Sequence, residues 1–334
     1  MRTFKTLATS LLGLSTAACL ALSAAGAAGA APASGTTAPS TTSGVSSHAV
    51  VESGGTEYWT AERMRSAIPG DVLAGKALQK RVGSRAGVSR ASESGPPSTV
   101  QSQAPNPRAK AAQGKANASE KPVKHIGKVF FTLGGADYVC SGNSVSAANK
   151  STVATAGHCV NEGAGAPATK FTFVPAYLDG NAPYGKWTAK SLHAPTQWTD
   201  AGDMTYDTGF AVMDTLDGEK LADVVGASGV KFNAGRGLDY KAFGYPAASP
   251  FDGESLKSCS GTAEDDPNNP QFNAQGIPCK MTGGSSGGPW FIGSSSSGYQ
   301  NSINSYGYGS MLTTMYGPYW GSVIKQAYTA AAAS

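Results

Sequence analysis

From Val123 onward the chain is written in short β-prone runs broken by turn residues, and no other feature limits its fold so tightly. Val129-Phe130-Phe131-Thr132, Val139-Cys140, Thr152-Val153-Ala154 and Phe210-Ala211-Val212-Met213 are such runs, as are 170–174, 187–192, 240–243, 290–292 and 303–306. Gly134-Gly135, Asp179-Gly180-Asn181 and Asp217-Gly218 separate them. Many short strands with Gly and Pro between them predict an all-β sandwich or barrel. Only 321–333 reads as a helix. Roughly 210 residues in this style make one compact unit or two packed barrels. No repeat at a fixed period is visible.

The front of the chain is different. Arg2 and Lys5 precede an apolar run over 7–22 and a small-residue stretch over 24–31, the pattern of a secretory signal peptide ending near Ala28-Gly29-Ala30. Residues 1–30 are therefore expected to be removed. A retained anchor would need ~20 strongly apolar residues, and Thr, Ser and Gly dilute this run. Cys19 is not expected to carry lipid, because Thr16 stands where a large aliphatic residue belongs.

Residues 31–121 hold few large apolar side chains, and 32–47 and 91–119 read as flexible linker. Between them, 58–81 offers one or two short helices with Met64, Ile68, Val72, Leu73 and Leu78, too little for an independent core. This segment is expected to be a propeptide that inhibits or assists folding of the domain at 122–334. Residues 1–121 carry 13 basic and 6 acidic side chains (net +7), and 122–334 carry 13 and 16 (net −3), making the total +4. That total is too small to suggest nucleic-acid binding.

Export changes how the cysteines read. Once Cys19 leaves, Cys140, Cys159, Cys259 and Cys279 remain, and four cysteines allow three connectivities. Local pairing, Cys140–Cys159 with Cys259–Cys279, closes loops of 19 and 20 residue steps, each stabilising by ~3 kcal/mol if entropy of the unfolded chain dominates. No Cys-x-x-Cys pair or His at ligand spacing supports zinc, and no cofactor is expected.

Three separated motifs carry chemistry. In Gly283-Gly284-Ser285-Ser286-Gly287-Gly288-Pro289, glycines permit a tight turn that exposes the Ser286 hydroxyl and leaves room for a carbonyl. The amides of Gly284 and Ser286 can converge on a developing oxyanion. In Thr155-Ala156-Gly157-His158-Cys159, His158 is the candidate base, since imidazole titrates near ~6.5, and the adjacent cysteine clamps its backbone. In Tyr206-Asp207-Thr208-Gly209-Phe210, Asp207 opens an apolar strand, where a carboxylate can orient an imidazole. Asp203 and Asp214 are nearby competitors.

The order His158, Asp207, Ser286, with these flanking residues, resembles the trypsin/chymotrypsin-like serine proteases over about 123–334. Gly244-Tyr245-Pro246 is similar to a segment of the secreted bacterial, glutamyl-endopeptidase-like (V8-like) branch. Ser305-Tyr306-Gly307 is similar to the edge strand that binds substrate backbone there. The resemblance implies two packed six-stranded antiparallel β-barrels with a C-terminal helix, and peptide-bond hydrolysis through an acyl-enzyme. The partners it implies are polypeptide substrates, with a monomer and no membrane contact after signal removal. A catalytically inactive trypsin-fold binding protein and a secreted esterase are the alternatives.

The chain departs from the family pattern in places. Ser285 replaces the Asp that pairs with a new amino terminus in trypsins, so maturation is expected to remove a covering segment instead. Asn304 stands where glutamyl-specific relatives place His, and Lys280 falls where trypsins place the pocket Asp, so neither a basic nor an acidic preference is supported. Glu264-Asp265-Asp266 with Asn268 reads as an exposed acidic loop rather than a calcium site. Asn117 and Asn149 begin glycosylation sequons.

Overall fold

Pairing of the short runs predicted above accounts for most of the architecture. The computed structural model describes residues 40–42, 44–50, 55–81, 95–106, 121–309 and 313–334. The expected signal peptide, Cys19 and the Asn117 sequon lie outside these. Among the described residues no helix is long and apolar enough to cross a membrane.

The leading segment supplies β1 (Ser40–Thr42), β2 (Val45–Ala49), α1 (Gly55–Tyr58), α2 (Ala61–Ser66), β3 (Ile68–Pro69), α3 (Asp71–Arg81) and β4 (Ser98–Val100). The first half of the main domain follows as β5 (Ile126–Leu133), β6 (Ala136–Val145), β7 (Thr152–Thr155), β8 (Thr169–Pro175), β9 (Trp187–Pro195) and β10 (Gly209–Met213). These six strands pair antiparallel in the cycle β5-β6-β7-β10-β9-β8 and back to β5, which closes a barrel. Closure leaves no free edge inside the cycle, and β5 is buried along its whole length.

The second half comprises β11 (Val230–Phe232), β12 (Asp239–Gly244), β13 (Lys257–Thr262), β14 (Glu264–Asp265), β15 (Ala274–Pro278), β16 (Pro289–Ile292), β17 (Gln300–Ile303) and β18 (Thr314–Pro318). They form a sheet ordered β13-β12-β16-β17-β11-β4 and a smaller sheet β14-β15-β18. Short helices α4 (Thr196–Thr199) and α5 (Leu221–Val225) lie in connections, and α6 (Ser322–Ala332) ends the chain as expected. It buries Ile324, Ala327, Tyr328 and Ala331, and the Tyr328 hydroxyl donates to the Ser146 carbonyl across the core.

The leading segment is woven into both halves. β2 pairs with β9, β3 runs parallel to β6, and β4 pairs with β11. Trp59 and Met64 join Phe130, Tyr177 and Phe243 in one buried cluster. Residues 95–106, read as linker from composition, thus include a strand on a sheet edge. Asn149 spends its side chain on the Ala331 and Ser334 carbonyls and on the Ser151 amide.

One buried charge ties these layers together. Lys128 of β5 is enclosed, with Nζ 3.9 Å from Glu254 and 4.3 Å from the Tyr177 ring centroid. Glu254 also accepts from the Tyr177 hydroxyl at 2.8 Å and faces Arg65 of α2 at 3.9 Å. Burial pushes the Lys128 ammonium down to about 8, against the pull of Glu254. Above that pH the unfolded chain holds a proton the folded chain has shed, so stability rises with pH until the ordinary lysine value is reached. Relative to Lys128→Met, the wild-type chain should gain up to about 1.4 kcal/mol per pH unit between about pH 8 and 10 in denaturant titrations. A pH-independent difference would show that Lys128 keeps its ordinary basicity.

Candidate active site

The register of one strand pair sets two expected side chains side by side. β7 and β10 pair with Thr155 opposite Gly209, so His158, just after one strand, and Asp207, just before the other, leave the same end of the ladder. His158 sits in a single 3₁₀ turn, 157–159, and Asp207 ends another, 204–206. The Cys140–Cys159 disulfide (S–S 2.04 Å) ties that first turn to β6. Its sulfurs lie near the His158 ring, but joined to each other they offer no thiolate to a metal. The second expected bridge, Cys259–Cys279, is also formed.

Asp207 holds His158 at two points. Oδ2 lies 2.8 Å from His158 Nδ1, and Oδ1 accepts from the His158 amide at 2.8 Å. Both residues are fully buried. Gly157 is needed here, since a Cβ would lie 2.9 Å from both Asp207 Oδ1 and the Trp198 ring. A third donor was not foreseen: Ser305 gives its hydroxyl to Asp207 Oδ2 at 2.5 Å. The other imidazole nitrogen, Nε2, is buried and has no hydrogen-bond partner among the described residues.

The glycine loop carrying Ser286 is pressed onto the same corner. A Cβ on Gly287 would lie 2.1 Å from Thr155 Oγ1 and 2.7 Å from the Ala156 amide, and its φ is +79°. No other residue fits between the loop and the end of β7. Ser141 of β6 fixes the loop twice: its amide donates to the Ser286 carbonyl at 2.7 Å and its hydroxyl to the Gly284 carbonyl at 2.9 Å. Gly284 is left-handed, at φ +92°. Among the described residues, the Gly284 and Ser286 amides donate to no other group.

The departures from the family pattern have local explanations. Ser285 turns its hydroxyl back to the Thr282 carbonyl at 2.7 Å, so the position is satisfied inside the loop. Asn304 is buried, donating to the Phe243 and Ser285 carbonyls at 2.9 Å and accepting from Trp290 Nε1 at 2.7 Å. Its polar groups are spent bracing the loop. Lys280 is exposed, and Asp266 is buried, accepting from the Tyr306 and Tyr308 hydroxyls at 2.8 and 2.6 Å.

A cavity of about 300 Å³ opens beside Ser286. Its wall includes Thr282, Ser305, Tyr306, Gly307 and Met315 on one side, none of them charged, and α3 residues on the other. Tyr306 exchanges both backbone hydrogen bonds with Tyr316, and the Ser305 amide donates to Tyr316 as well. The Ser305 carbonyl and Gly307 have no backbone partner among the described residues. Asp71, at the start of α3, was not singled out from the sequence; nothing in its local context marks it.

A barrel-based β fold with a buried carboxylate–imidazole pair and a glycine-bound serine beside a cleft defines the chymotrypsin-like class of peptidases. Solved structures agree. The protease Anisep from Arthrobacter nicotinovorans is 78% identical, with a TM-score of 0.64 over 66% of this chain and all of its own. The thermostable serine protease AL20 from an extremophilic microorganism is 50% identical, with a TM-score of 0.62 over 64% of this chain and 98% of its own. A Glu endopeptidase at 21% identity and TM-score 0.53 shares the fold, over 69% of this chain and 99% of its own. No protein-family profile and no curated protein matches. The chain belongs to the trypsin/chymotrypsin-like serine proteases.

Asn304→Ala would take a donor from the Phe243 and Ser285 carbonyls, the latter keeping the Gly288 amide, and would leave the Trp290 indole N–H without its acceptor in the core, at a cost of about 1–3 kcal/mol. Urea unfolding measures this, and a loss below about 0.5 kcal/mol, typical of a surface change, would show that Asn304 does not brace the loop.

Proposed function

We propose that this chain is a secreted serine endopeptidase in which Ser286 is the nucleophile, His158 the proton carrier and Asp207 the orienting carboxylate. The observation that carries the reading is the pairing of His158 with Asp207. A carboxylate at Nδ1 holds the ring proton there, which leaves the Nε2 lone pair available for a hydroxyl proton. Nε2 has no competing partner. Once Nε2 takes the proton, the imidazolium faces the Asp207 carboxyl group, which the His158 amide, the His158 ring and the Ser305 hydroxyl hold in place.

Ser286 then attacks the substrate carbonyl carbon, and the Gly284 and Ser286 amides receive the oxyanion. Each such donor is worth about 10²–10³ in rate. Collapse expels the amine, which takes its proton from His158, and leaves an acyl-Ser286 ester. Water repeats the sequence to release the carboxylic acid. The Ser305 carbonyl and the Gly307 backbone, unpaired among the described residues, support binding of an extended chain in the manner of an added strand. The domain reading goes with this: 1–30 is the signal peptide, 31–121 the propeptide and 122–334 the peptidase domain. Two disulfides fit an oxidising, extracellular compartment.

The uncharged main-domain wall of the cavity favours an uncharged side chain just before the cleaved bond. In a peptide-library digest the processed protein should prefer such residues, and a majority of cuts after Lys, Arg, Asp or Glu would overturn this. Ser286→Ala should abolish casein hydrolysis and leave the melting curve in place; retained hydrolysis would falsify the nucleophile. Ser305→Ala should lower kcat by about tenfold, the weight of one hydrogen bond to a charged group, and leave KM unchanged. An effect confined to KM would place Ser305 in binding alone.

A further inference from the structure

The segment from α1 to α3 does not merely precede the peptidase domain; it is built into it and ends in the cleft. Trp59 is fully buried, 5.4 Å from Phe130 between ring centroids, and its indole N–H donates to the Lys170 carbonyl at 2.7 Å. Lys186 reaches back to the Thr56 and Trp59 carbonyls at 2.6 and 3.0 Å. Tyr58 donates to Asp137 at 2.8 Å, and Arg63 pairs with the same carboxylate at 3.2 Å. β3 then pairs with β6 at Tyr138 and Val139, and the Gly70 amide donates to the Val139 carbonyl at 2.9 Å. Gly70 lies so close to the disulfide beside His158 that a Cβ would be 2.5 Å from Cys140 Sγ.

That approach delivers the next residue to the active site. The Asp71 carboxylate lies over Gly283, where an added Cβ would meet Oδ1 at 2.1 Å. Asp71 is an exposed residue overall, yet its carboxyl group is sheltered enough that burial raises its pKa, against the pull of nearby His158. From there α3 borders the cavity, which Ala74, Gly75 and Leu78 line together with Ser286 and Tyr306. A helix spends its backbone groups on itself, whereas an edge strand accepts only an extended chain. α3 therefore narrows the cleft beside Ser286 without presenting a bond in the geometry that cleavage needs.

We propose that residues 55–81 are a built-in inhibitor of the cleft, anchored by Trp59 and blocking with Asp71 and α3, and that they stay bound when the chain between 82 and 121 is cut. The proposal rests on the reading of Ser286 as the nucleophile. Latency then ends only when the segment itself is destroyed or displaced.

The test is the rate at which a fluorophosphonate probe labels Ser286 in the full chain. Asp71→Ala, or Leu78→Glu should the first variant melt early, is expected to label at least about tenfold faster than wild type, equivalent to about 1.4 kcal/mol. After nicking with trypsin under native conditions, the fragment holding Trp59 should co-elute with the peptidase domain in gel filtration. Equal labelling of wild type and both folded variants, or free elution of the fragment, overturns the proposal and leaves Ser286 as nucleophile. No labelling in any form, including protein from which the segment has been digested away, overturns the nucleophile reading itself.

Discussion

Burying the Asp207 carboxylate is the constraint on which the rest depends. An ionised carboxyl with no exposed surface is costly unless donors replace its water. Three do so, and they come from two distant residues: the amide and the ring of His158, and the Ser305 hydroxyl. The closed barrel supplies the first two through the Thr155–Gly209 register, and the second half supplies the third. Docking the two halves thereby becomes part of making the carboxylate stable. The same docking presses Gly287 against Thr155 and carries Ser286 to the site.

The loop around Ser286 is held by neutral groups throughout. Ser285 is satisfied within the loop, Asn304 braces it from below and Ser141 from the side. No ion pair with a chain terminus is needed to shape it.

Much of this was legible in the sequence where function is carried by short local patterns. His158 and Ser286 stand out through their flanking glycines and cysteine, local pairing is one of three connectivities the four cysteines allow and is the one formed, and the C-terminal helix follows from composition. The β runs predict the barrel strands because short apolar and β-branched stretches are bounded by turn residues, and strands such as β5 and β10 are buried along their whole length. What stayed hidden depends on contacts between distant residues. The Ser305–Gly307 segment is recognisable as an edge, but nothing in it says that the Ser305 hydroxyl turns to a carboxylate 98 residues earlier. Asn304 reads as any polar residue until its three partners are assembled. The segment around Trp59 is too poor in apolar residues for a core of its own, and that is consistent with what it does: it completes someone else's. β4 is short and polar, and only the waiting edge of β11 makes it a strand.

If the leading segment is removed, as proposed above, Trp59 makes the shorter chain a different solute from the longer one. An aromatic side chain of this kind hides roughly 150–250 Å², about 4–6 kcal/mol at 25 cal/mol per Å². Stripping it away uncovers a greasy notch floored by Phe130 on the outside of the first barrel. Removal of the segment would thus trade cohesion for an open groove, a hollow that water fills poorly and that a foreign indole or phenyl ring would suit.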